Sequence, residues 1–349
     1  MSMNNHIPAP LDDTHIFRMT DCTGMFQHAR YGVPDPSEGY TSDDNARALI
    51  MAVMFYEASG NKKYLDLAFR YLSFLYYAES DGWFRNFMDY DRRFSEKKGS
   101  PDCFGRCVFS LGFTTSRSAL PESMRSAAKY LLTKVLPCCR SLAFPRSKAY
   151  AAIGLGLWDN EAARGALKNI AADLAAAYER SSSEDWQWFE PDITYCNAVL
   201  PGAMFAAYES SLGKKYLEIG TICLDFLLKC TFKDDIFSPV GCNGWLKQGQ
   251  SAAEFDQQPV EACCTLLACR KAYELTGRQF YADRMRGCLL WFTGKNAAGK
   301  SLIDTDTGGC MDGITPRGCN GNEGAESLIS WIISSLALQN EDTASASDM

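Results

Sequence analysis

The chain has 349 residues, of which 46% are hydrophobic and 22% charged, and a formal net charge of −7. This composition is typical of a soluble globular protein with a large core. The acidic balance, without a run of Lys and Arg, excludes a nucleic-acid partner, because phosphate binding needs a concentrated basic face. No uncharged apolar stretch approaches the ~18–20 residues of a membrane span, and residues 1–6 lack the basic and apolar parts of a secretory signal.

The fifteen cysteines do not form the pattern of a disulfide framework. Their number is odd, no Cys-x-x-Cys occurs, and many lie inside apolar helical stretches: Cys107, Cys223, Cys263, Cys264, Cys269 and Cys288. Buried free thiols behave as small hydrophobic side chains. We therefore expect free thiols and a reducing, cytoplasmic location.

Two kinds of predicted helix alternate along the chain. Amphipathic helices with one charged face are predicted at residues 60–78, 121–136, 160–180, 213–230 and 277–292. Helices that are apolar nearly all round are predicted at residues 48–58, 107–112, 149–157, 198–208, 262–275 and 328–338. A helix that is apolar on every side is buried, whereas an amphipathic helix lies at the surface.

This alternation predicts an all-α fold, an (α/α)6 toroid with six inner helices, because repeats that cannot bury a face alone must stack or close. We expect residues 1–349 to form one domain, with an ordered core at about residues 20–340 and a polar tail at 340–349. The last inner helix lacks an outer partner, so either one hairpin is incomplete or the N-terminal segment caps the ring. Residues 83–88 alternate like a short hairpin strand beside the second inner helix.

Each inner helix begins with a polar segment. These segments are residues 41–47, 100–106, 144–147, 188–197, 255–261 and 322–327. Inner helices of an alternating toroid run parallel, so the polar segments should meet at one rim. Carboxylates, amides and arginines in an apolar scaffold are typical of a ligand site.

Helix capping is the competing explanation for these polar residues. Asp and Ser are favoured as N-caps, a role open to Ser42, Asp43, Asp102, Asp192 and Asp256. Capping does not explain arginines in a first turn, where positive charge opposes the helix dipole. It also leaves unexplained the carboxylates that need a pocket or an ion pair in an apolar helix, namely Asp44, Glu261 and Glu326.

The three histidines, His6, His15 and His28, all lie near the N-terminus. No helix-borne histidine pair is available to bind zinc, and no glycine-rich phosphate-binding motif follows a strand. We therefore expect neither a metal nor a cofactor. Toroidal sugar 2-epimerases use histidines on their inner helices, which are missing here.

Carboxylate chemistry on a carbohydrate remains, in which one acid protonates the leaving oxygen and a second carboxylate acts as base or nucleophile. Glu190 is the predicted acid, because its apolar Trp188-Phe189 setting favours the protonated carboxyl. Asp44 and Asp256 are candidates for the second group. Aromatic rings beside amides and carboxylates suit a sugar, so the predicted substrate-binding residues are Asp43, Arg47, Asp102, Arg106, Trp83, Trp188, Tyr195, Asn197, Gln257, Gln258, Glu261, Asp312, Asn322, Glu323 and Glu326.

The polar segments carry a family resemblance. TSDDNARA at residues 41–48, FDQQPVEA at 255–262 and NEGAES at 322–327, together with residues 84–91, 188–190 and 308–313, resemble a six-hairpin glycosidase-like family. Its members occur alone, beside mannoside phosphorylases, or fused after glycosyltransferase domains. The resemblance covers about residues 20–338 and implies carbohydrate processing on an (α/α)6 scaffold.

Two residues depart from that family pattern. Phe104 stands where the family has a rim histidine, which leaves open a changed specificity or a lost activity. Glu323 replaces the family's glutamine and adds a carboxylate.

Three functions therefore compete. The first is a glycoside hydrolase acting on a short oligosaccharide, with mannose among the candidate sugars. The second is a sugar isomerase or a phosphorolytic enzyme of the same shape, with Arg47, Arg106 or Arg146 holding the anion. The third is a non-catalytic glycan-binding module.

Overall fold

The computed structural model describes residues 11–347. Residues 1–6, where the sequence predicts no secretory signal, lie outside this range, as do the last two residues of the predicted polar tail. The helices are α1 (Thr14–Arg18), α2 (Ser42–Ser59), α3 (Lys62–Ala78), α4 (Pro101–Ser116), α5 (Glu122–Val135), α6 (Pro145–Leu157), α7 (Glu161–Ser181), α8 (Val199–Glu209), α9 (Lys214–Thr231), α10 (Pro259–Thr276), α11 (Gln279–Phe292) and α12 (Ala325–Ser347), with 3-10 turns at Pro36–Glu38 and Leu136–Ser141.

The even-numbered helices form a closed inner ring. Helix α2 packs on α4, and the contacts continue through α6, α8, α10 and α12 until α12 packs on α2 again. The odd-numbered helices α3 to α11 each pack on the inner helix that precedes them. The predicted (α/α)6 toroid is confirmed.

Burial follows the two sequence patterns. Residues 48–55 of α2 are all buried, as expected of a helix enclosed on every side. Helix α3 buries instead one stripe that includes Tyr64, Leu67, Tyr71 and Leu75, which recur at the three- and four-residue spacing of one helical face. The hydrophobic pattern thus decides which helices lie inside the ring.

The N-terminal segment closes the ring where α12 has no following outer helix. Tyr64 of α3 donates a hydrogen bond to Asp13 (2.7 Å), and His15 Nε2 donates one to the carbonyl of Glu323 (3.0 Å), just before α12. The side chains of Ile16 and Met19 are fully buried. The alternative in which the N-terminal segment caps the ring is therefore correct.

Glycines bring α4 and α6 into close contact. A Cβ on Gly112 would lie 2.0 Å from the carbonyl oxygen of Gly154, and one on Gly154 would lie 2.4 Å from that of Val108. Nearer the helix starts, a Cβ on Gly105 would lie 2.5 Å from the carbonyl oxygen of Ser147. The N-terminal parts of the two helices are therefore held side by side.

Short antiparallel strand pairs connect the loops. The strands are β1 (Ala29–Arg30), β2 (Val33–Pro34), β3 (Tyr40–Thr41), β4 (Glu79–Ser80), β5 (Trp83–Phe84), β6 (Phe87–Met88), β7 (Asp192–Ile193), β8 (Phe232–Lys233), β9 (Ile236–Phe237), β10 (Leu246–Lys247), β11 (Gly313–Thr315) and β12 (Gly318–Asn320). The predicted hairpin at residues 83–88 is divided, because β5 pairs with β4 and β6 with β3. The pair β7–β10 holds the loop before α8 against the loop before α10.

In the part of the chain that is described, no helix is both long and apolar enough to cross a membrane. All fifteen cysteines lie in this part, and all are free thiols, most of them buried or partly buried. The predicted free thiols are confirmed. The last helix continues to Ser347, through most of the segment that the sequence predicts as a polar tail.

Candidate functional site

The polar starts of the inner helices meet at one rim. Arg47 of α2 pairs with Glu326 of α12, and Asp43 of α2 pairs with Arg106 of α4. The hydroxyl of Tyr195, before α8, donates a hydrogen bond to Asp102 of α4 (2.6 Å). The predicted convergence of these segments is confirmed.

Capping does not account for the acidic residues of α2 and α4. The N-caps are Thr41 and Ser100, whose hydroxyls accept the N–H groups of Asp44 and Cys103. The possibility that Asp43 or Asp102 acts as an N-cap is therefore excluded, because each is the second residue of its helix and lies in the first turn.

Three carboxylates and two guanidinium groups form what we call the acid–arginine cluster: Asp43, Asp44, Arg47, Arg106 and Glu326. Arg47 Nη1 contacts Asp44 Oδ1 at 2.6 Å, and its Nη2 contacts Asp43 Oδ1 at 3.1 Å and Glu326 Oε2 at 2.7 Å. Arg106 Nε lies 3.3 Å from the same Asp43 oxygen. The sequence suggests that Arg47 and Arg106 lie in first turns, but each is the sixth residue of its helix and lies in the second turn. Carboxylates on two helices compensate their positive charge.

Burial raises the pKa of all three carboxyl groups in the cluster. For Asp44 the pKa rises to about 8, first because the group is buried and then because the charge of Asp43 is close. Burial likewise raises the pKa of Asp43 and of Glu326, while the Arg106 charge opposes the rise. Burial and the neighbouring Asp43 charge thus favour the protonated form of Asp44.

A second network, which we call the Arg146 network, joins α6, α10 and the loop before α8. Arg146 Nη1 donates to Glu190 Oε2 (2.5 Å), and Nη2 donates to Asn197 Oδ1 (3.1 Å). Asn197 Nδ2 in turn donates to Glu261 Oε2 (3.0 Å). The expected apolar setting of Glu190 is wrong, because its carboxylate forms an ion pair with Arg146.

Glu261 holds the turn before α8. Its carboxylate accepts the backbone N–H groups of Cys196 and Asn197. Burial raises the pKa of Glu261 to about 8, against the effect of these hydrogen bonds. Both Glu261 and Asn197 are buried, and their hydrogen bonds to each other and to the backbone brace the loop before α8.

A cavity of about 370 Å³ opens beside the acid–arginine cluster. The residues that line it come from four polar segments and from the loop between α9 and α10: Arg106, Tyr195, Cys196, Cys242, Trp245, Gln258, Val260 and Glu326. The rings of Tyr195 and Trp245 lie 6.4 Å apart at their centroids, so aromatic surface stands beside charged groups. Of the predicted substrate-binding residues, Arg106, Tyr195, Gln258 and Glu326 line this cavity.

Three predicted substrate-binding residues pack inside the protein instead. Trp83 is buried, stacks on Phe104 and donates its indole N–H to the carbonyl of Gly99. Trp188 is fully buried against Phe189. Gln257 is also fully buried and accepts the indole N–H of Trp291. Long-range contacts, which local sequence does not show, turn these three side chains away from the cavity.

Three further predicted residues stabilise the approach to α12. Asp312 accepts hydrogen bonds from the N–H of Gly324 and the hydroxyl of Ser327, both at 2.8 Å. Asn322 accepts the N–H of Tyr31, and the buried Glu323 accepts the hydroxyl of Thr307. The structure gives each a stabilising contact outside the lining of the cavity.

Asp256 is partly exposed and precedes Gln257 at the start of α10. Its backbone carbonyl accepts the N–H of Cys242 (2.9 Å), and Cys242 lines the cavity. Within residues 11–347, no group of three or more His, Cys, Asp and Glu side chains could hold a metal ion.

Sequence reasoning named Arg146 only as an anion-holding residue of the second candidate function, and it missed Cys196. Arg146 is the second residue of α6, in the first turn, where positive charge opposes the helix dipole, so it could have been included among the predicted substrate-binding residues. Cys196 gives no such signal, because a cysteine beside apolar residues predicts packing.

Comparison with known proteins supports the fold. No protein-family model matches the sequence, and no curated protein matches it. A sugar epimerase from a ruminal bacterium superposes with a TM-score of 0.74 at 12% identity, over 94% of this chain and 97% of that chain. The structure of a D-mannose isomerase superposes with a TM-score of 0.75 at 10% identity, over 97% of this chain and 98% of the isomerase chain. A GH76A alpha-1,6-mannanase from a Salegentibacter species superposes with a TM-score of 0.63 at 12% identity, over 94% of this chain and 96% of the mannanase chain. The chain shares the (α/α)6 toroid with these proteins.

Proposed function

We propose that this protein is a carbohydrate-active enzyme that hydrolyses a glycosidic bond by carboxylate acid–base catalysis. The observation that carries the proposal is the acid–arginine cluster, which puts a carboxylate with a raised pKa on the wall of a cavity that also has aromatic surface. Glycosidic cleavage needs such a proton donor near a second carboxylate. The free thiols support a reducing, cytoplasmic location.

In this proposal Glu326 is the proton donor, because its side chain lines the cavity and is 36% exposed. Asp43 is the nearest second carboxylate, since Arg47 Nη2 binds both side chains. Asp44 is 5% exposed and stores a proton behind them. Glu190 and Asp256, the other carboxylates suggested by sequence, are alternatives for the second group.

The comparisons support a carbohydrate substrate. One solved neighbour is an inactive variant of the Salegentibacter mannanase, with two consecutive aspartates replaced by alanine, in complex with alpha-1,6-mannotetrose. This chain also has consecutive aspartates, Asp43 and Asp44, at the start of an inner helix. A short mannose-containing oligosaccharide is therefore the first substrate to test.

The test is a screen of mannose-containing oligosaccharides, with and without inorganic phosphate, read by product chromatography. For the substrate that is turned over, Glu326→Gln should lower the rate by about 10²–10⁴-fold, the usual contribution of a general acid. The matched control is Glu274→Gln, near the C-terminal end of α10 and outside the lining of the cavity, which should keep full activity. Unchanged turnover in Glu326→Gln would contradict the assignment. Binding without any product would favour the glycan-binding module.

A sugar epimerase or isomerase is the second candidate, favoured by the higher TM-scores of the neighbours with those activities. Such a reaction removes a proton next to a carbonyl and needs a base with a pKa near neutral. Described histidines lie in the N-terminal segment, where His15 is buried, so carboxylates would have to serve. An isomeric product without bond cleavage would support this candidate, and phosphate-dependent cleavage would support phosphorolysis.

A further inference from the structure

Cys196 lies on a constrained turn at the cavity wall. Its φ is 46°, in the left-handed region that a non-glycine residue rarely adopts. Glu261 holds the turn by accepting the Cys196 N–H. The residue is 1% exposed but lines the cavity, so its thiol is within reach only of small molecules that enter there.

Three polar groups surround the Cys196 thiol. Arg106 Nη2 lies 3.5 Å from Sγ, and the thiol of Cys264 on α10 hydrogen-bonds to the Cys196 sulfur. The hydroxyl of Tyr150 lies 3.9 Å from Cys264 Sγ. The Cys264 hydrogen bond, followed by the Arg106 charge, lowers the pKa of Cys196 to about 7, although burial opposes this. The Cys264 and Arg106 contacts therefore favour the thiolate form of Cys196.

Arg106 offers a free donor at the same place. The residue is only 6% exposed, and its Nη1 has no hydrogen-bond acceptor among the described residues. A buried donor that lacks an acceptor costs free energy, which a ligand oxygen in the cavity would recover. The unsatisfied donor and the neighbouring thiolate together fit a small molecule with an electrophilic oxygen.

We propose that Cys196 is a redox modification site that takes a small hydroperoxide, with Cys264 as the resolving thiol. The Cys196 thiolate attacks one oxygen of hydrogen peroxide, the S–O bond forms and the O–O bond breaks. The leaving hydroxide takes a proton from solvent and becomes water, so Cys196 is oxidised to a sulfenic acid and the peroxide is reduced. The Cys264 thiol then attacks the Cys196 sulfur, the S–O bond breaks and water leaves as the disulfide forms.

This modification is independent of the proposed hydrolysis. It would connect the turn before α8 to α10 and take the Cys196 thiolate away from Arg106. Because Arg106 also binds Asp43, oxidation would alter the acid–arginine cluster, and a reductant would restore it.

The experiment treats the native protein with a slight excess of hydrogen peroxide, blocks remaining thiols and maps cysteines by mass spectrometry. The expected result is a Cys196–Cys264 disulfide that dithiothreitol reverses. Cys264→Ser should stop the oxidation of Cys196 at the sulfenic acid, and Arg106→Lys should slow it by about tenfold. The matched control is Cys223→Ser, a buried thiol of α9, which should leave the disulfide unchanged.

Exposed Cys22 supplies an internal comparison, because Arg92 Nη2 lies 3.1 Å from its sulfur but it has no place in the cavity. Oxidation of Cys22 while Cys196 and Cys264 both remain free thiols would overturn the proposal. Because the unsubstituted protein gives this result directly, the test does not depend on the folding of any variant. It also needs no sugar substrate, so it can succeed or fail separately from the proposed hydrolysis.

Discussion

Protonation of buried carboxyl groups dominates the chemistry of individual residues at this rim. Asp44 receives a contact from Arg47 Nη1 and a hydrogen bond from the Thr41 hydroxyl, both at 2.6 Å, yet burial and the nearby Asp43 raise its pKa to about 8. An unfolded aspartate has a pKa near ~3.9. The folded protein therefore binds this proton more tightly than the unfolded chain does.

The stability of the protein should consequently fall as pH rises from about 4 to about 8. In that window Asp44 contributes up to about 1.4 kcal/mol per pH unit to the loss, because the proton it holds when folded becomes harder to retain. Asp44→Asn should reduce this slope, although Glu261 acts in the same direction. Urea unfolding at pH 5 and pH 8 measures the effect, with the exposed Asp283→Asn as control. A slope in Asp44→Asn equal to that of the unsubstituted protein would show that Asp44 is already ionised.

At the scale of elements, the position of the site depends on how closely α4 and α6 approach. Gly112 faces the backbone of Gly154, Gly154 faces the backbone of Val108, and Gly105 approaches Ser147 near the rim. These contacts keep the N-terminal parts of the two helices, which carry Arg106 and Arg146, next to one another. Small residues at this crossing are therefore a structural requirement of the site.

Gly154→Ala should destabilise the protein by at least about 1–3 kcal/mol, the usual cost of overpacking, because the new methyl group would meet the backbone of α4. Gly165→Ala on α7 should instead stabilise the folded protein. Gly165 is exposed in mid-helix, no atom lies within 4 Å of an added Cβ, and alanine is favoured there by roughly 0.5–1 kcal/mol. Denaturant midpoints of both variants test the pair. A neutral Gly154→Ala would mean that the helices separate easily.

The helices themselves were predictable, because period and polarity distinguish inner from outer helices without tertiary information. The residues at which the helices begin were less predictable from the sequence, because the polar residues that the sequence suggests as caps lie in the first turns of α2 and α4. Which aromatic residues face the cavity was not predictable. Trp83 is turned inward by the Gly99 carbonyl, whereas Trp245 is brought to the cavity by the loop that ends at β10.

At the scale of the whole molecule, closure of the ring joins residues far apart in sequence. Arg47 and Glu326 come from the first and last inner helices, so the acid–arginine cluster exists only in the closed ring. We propose for this reason that the chain folds as one domain. Sequence could place the cluster at one rim, because parallel inner helices share a direction, but could not show which carboxylate lines the cavity.

The central claim is that this rim cleaves a glycosidic bond with carboxylates. Proton NMR in D2O, on the oligosaccharide turned over in the screen, tests it most directly. Hydrolysis predicts new anomeric signals from reducing ends and full retention of the C2 proton signals. In Glu326→Gln, the new reducing-end signals should be lost or strongly reduced. Exchange of the C2 proton for deuterium without a new reducing end would contradict hydrolysis and identify an isomerase.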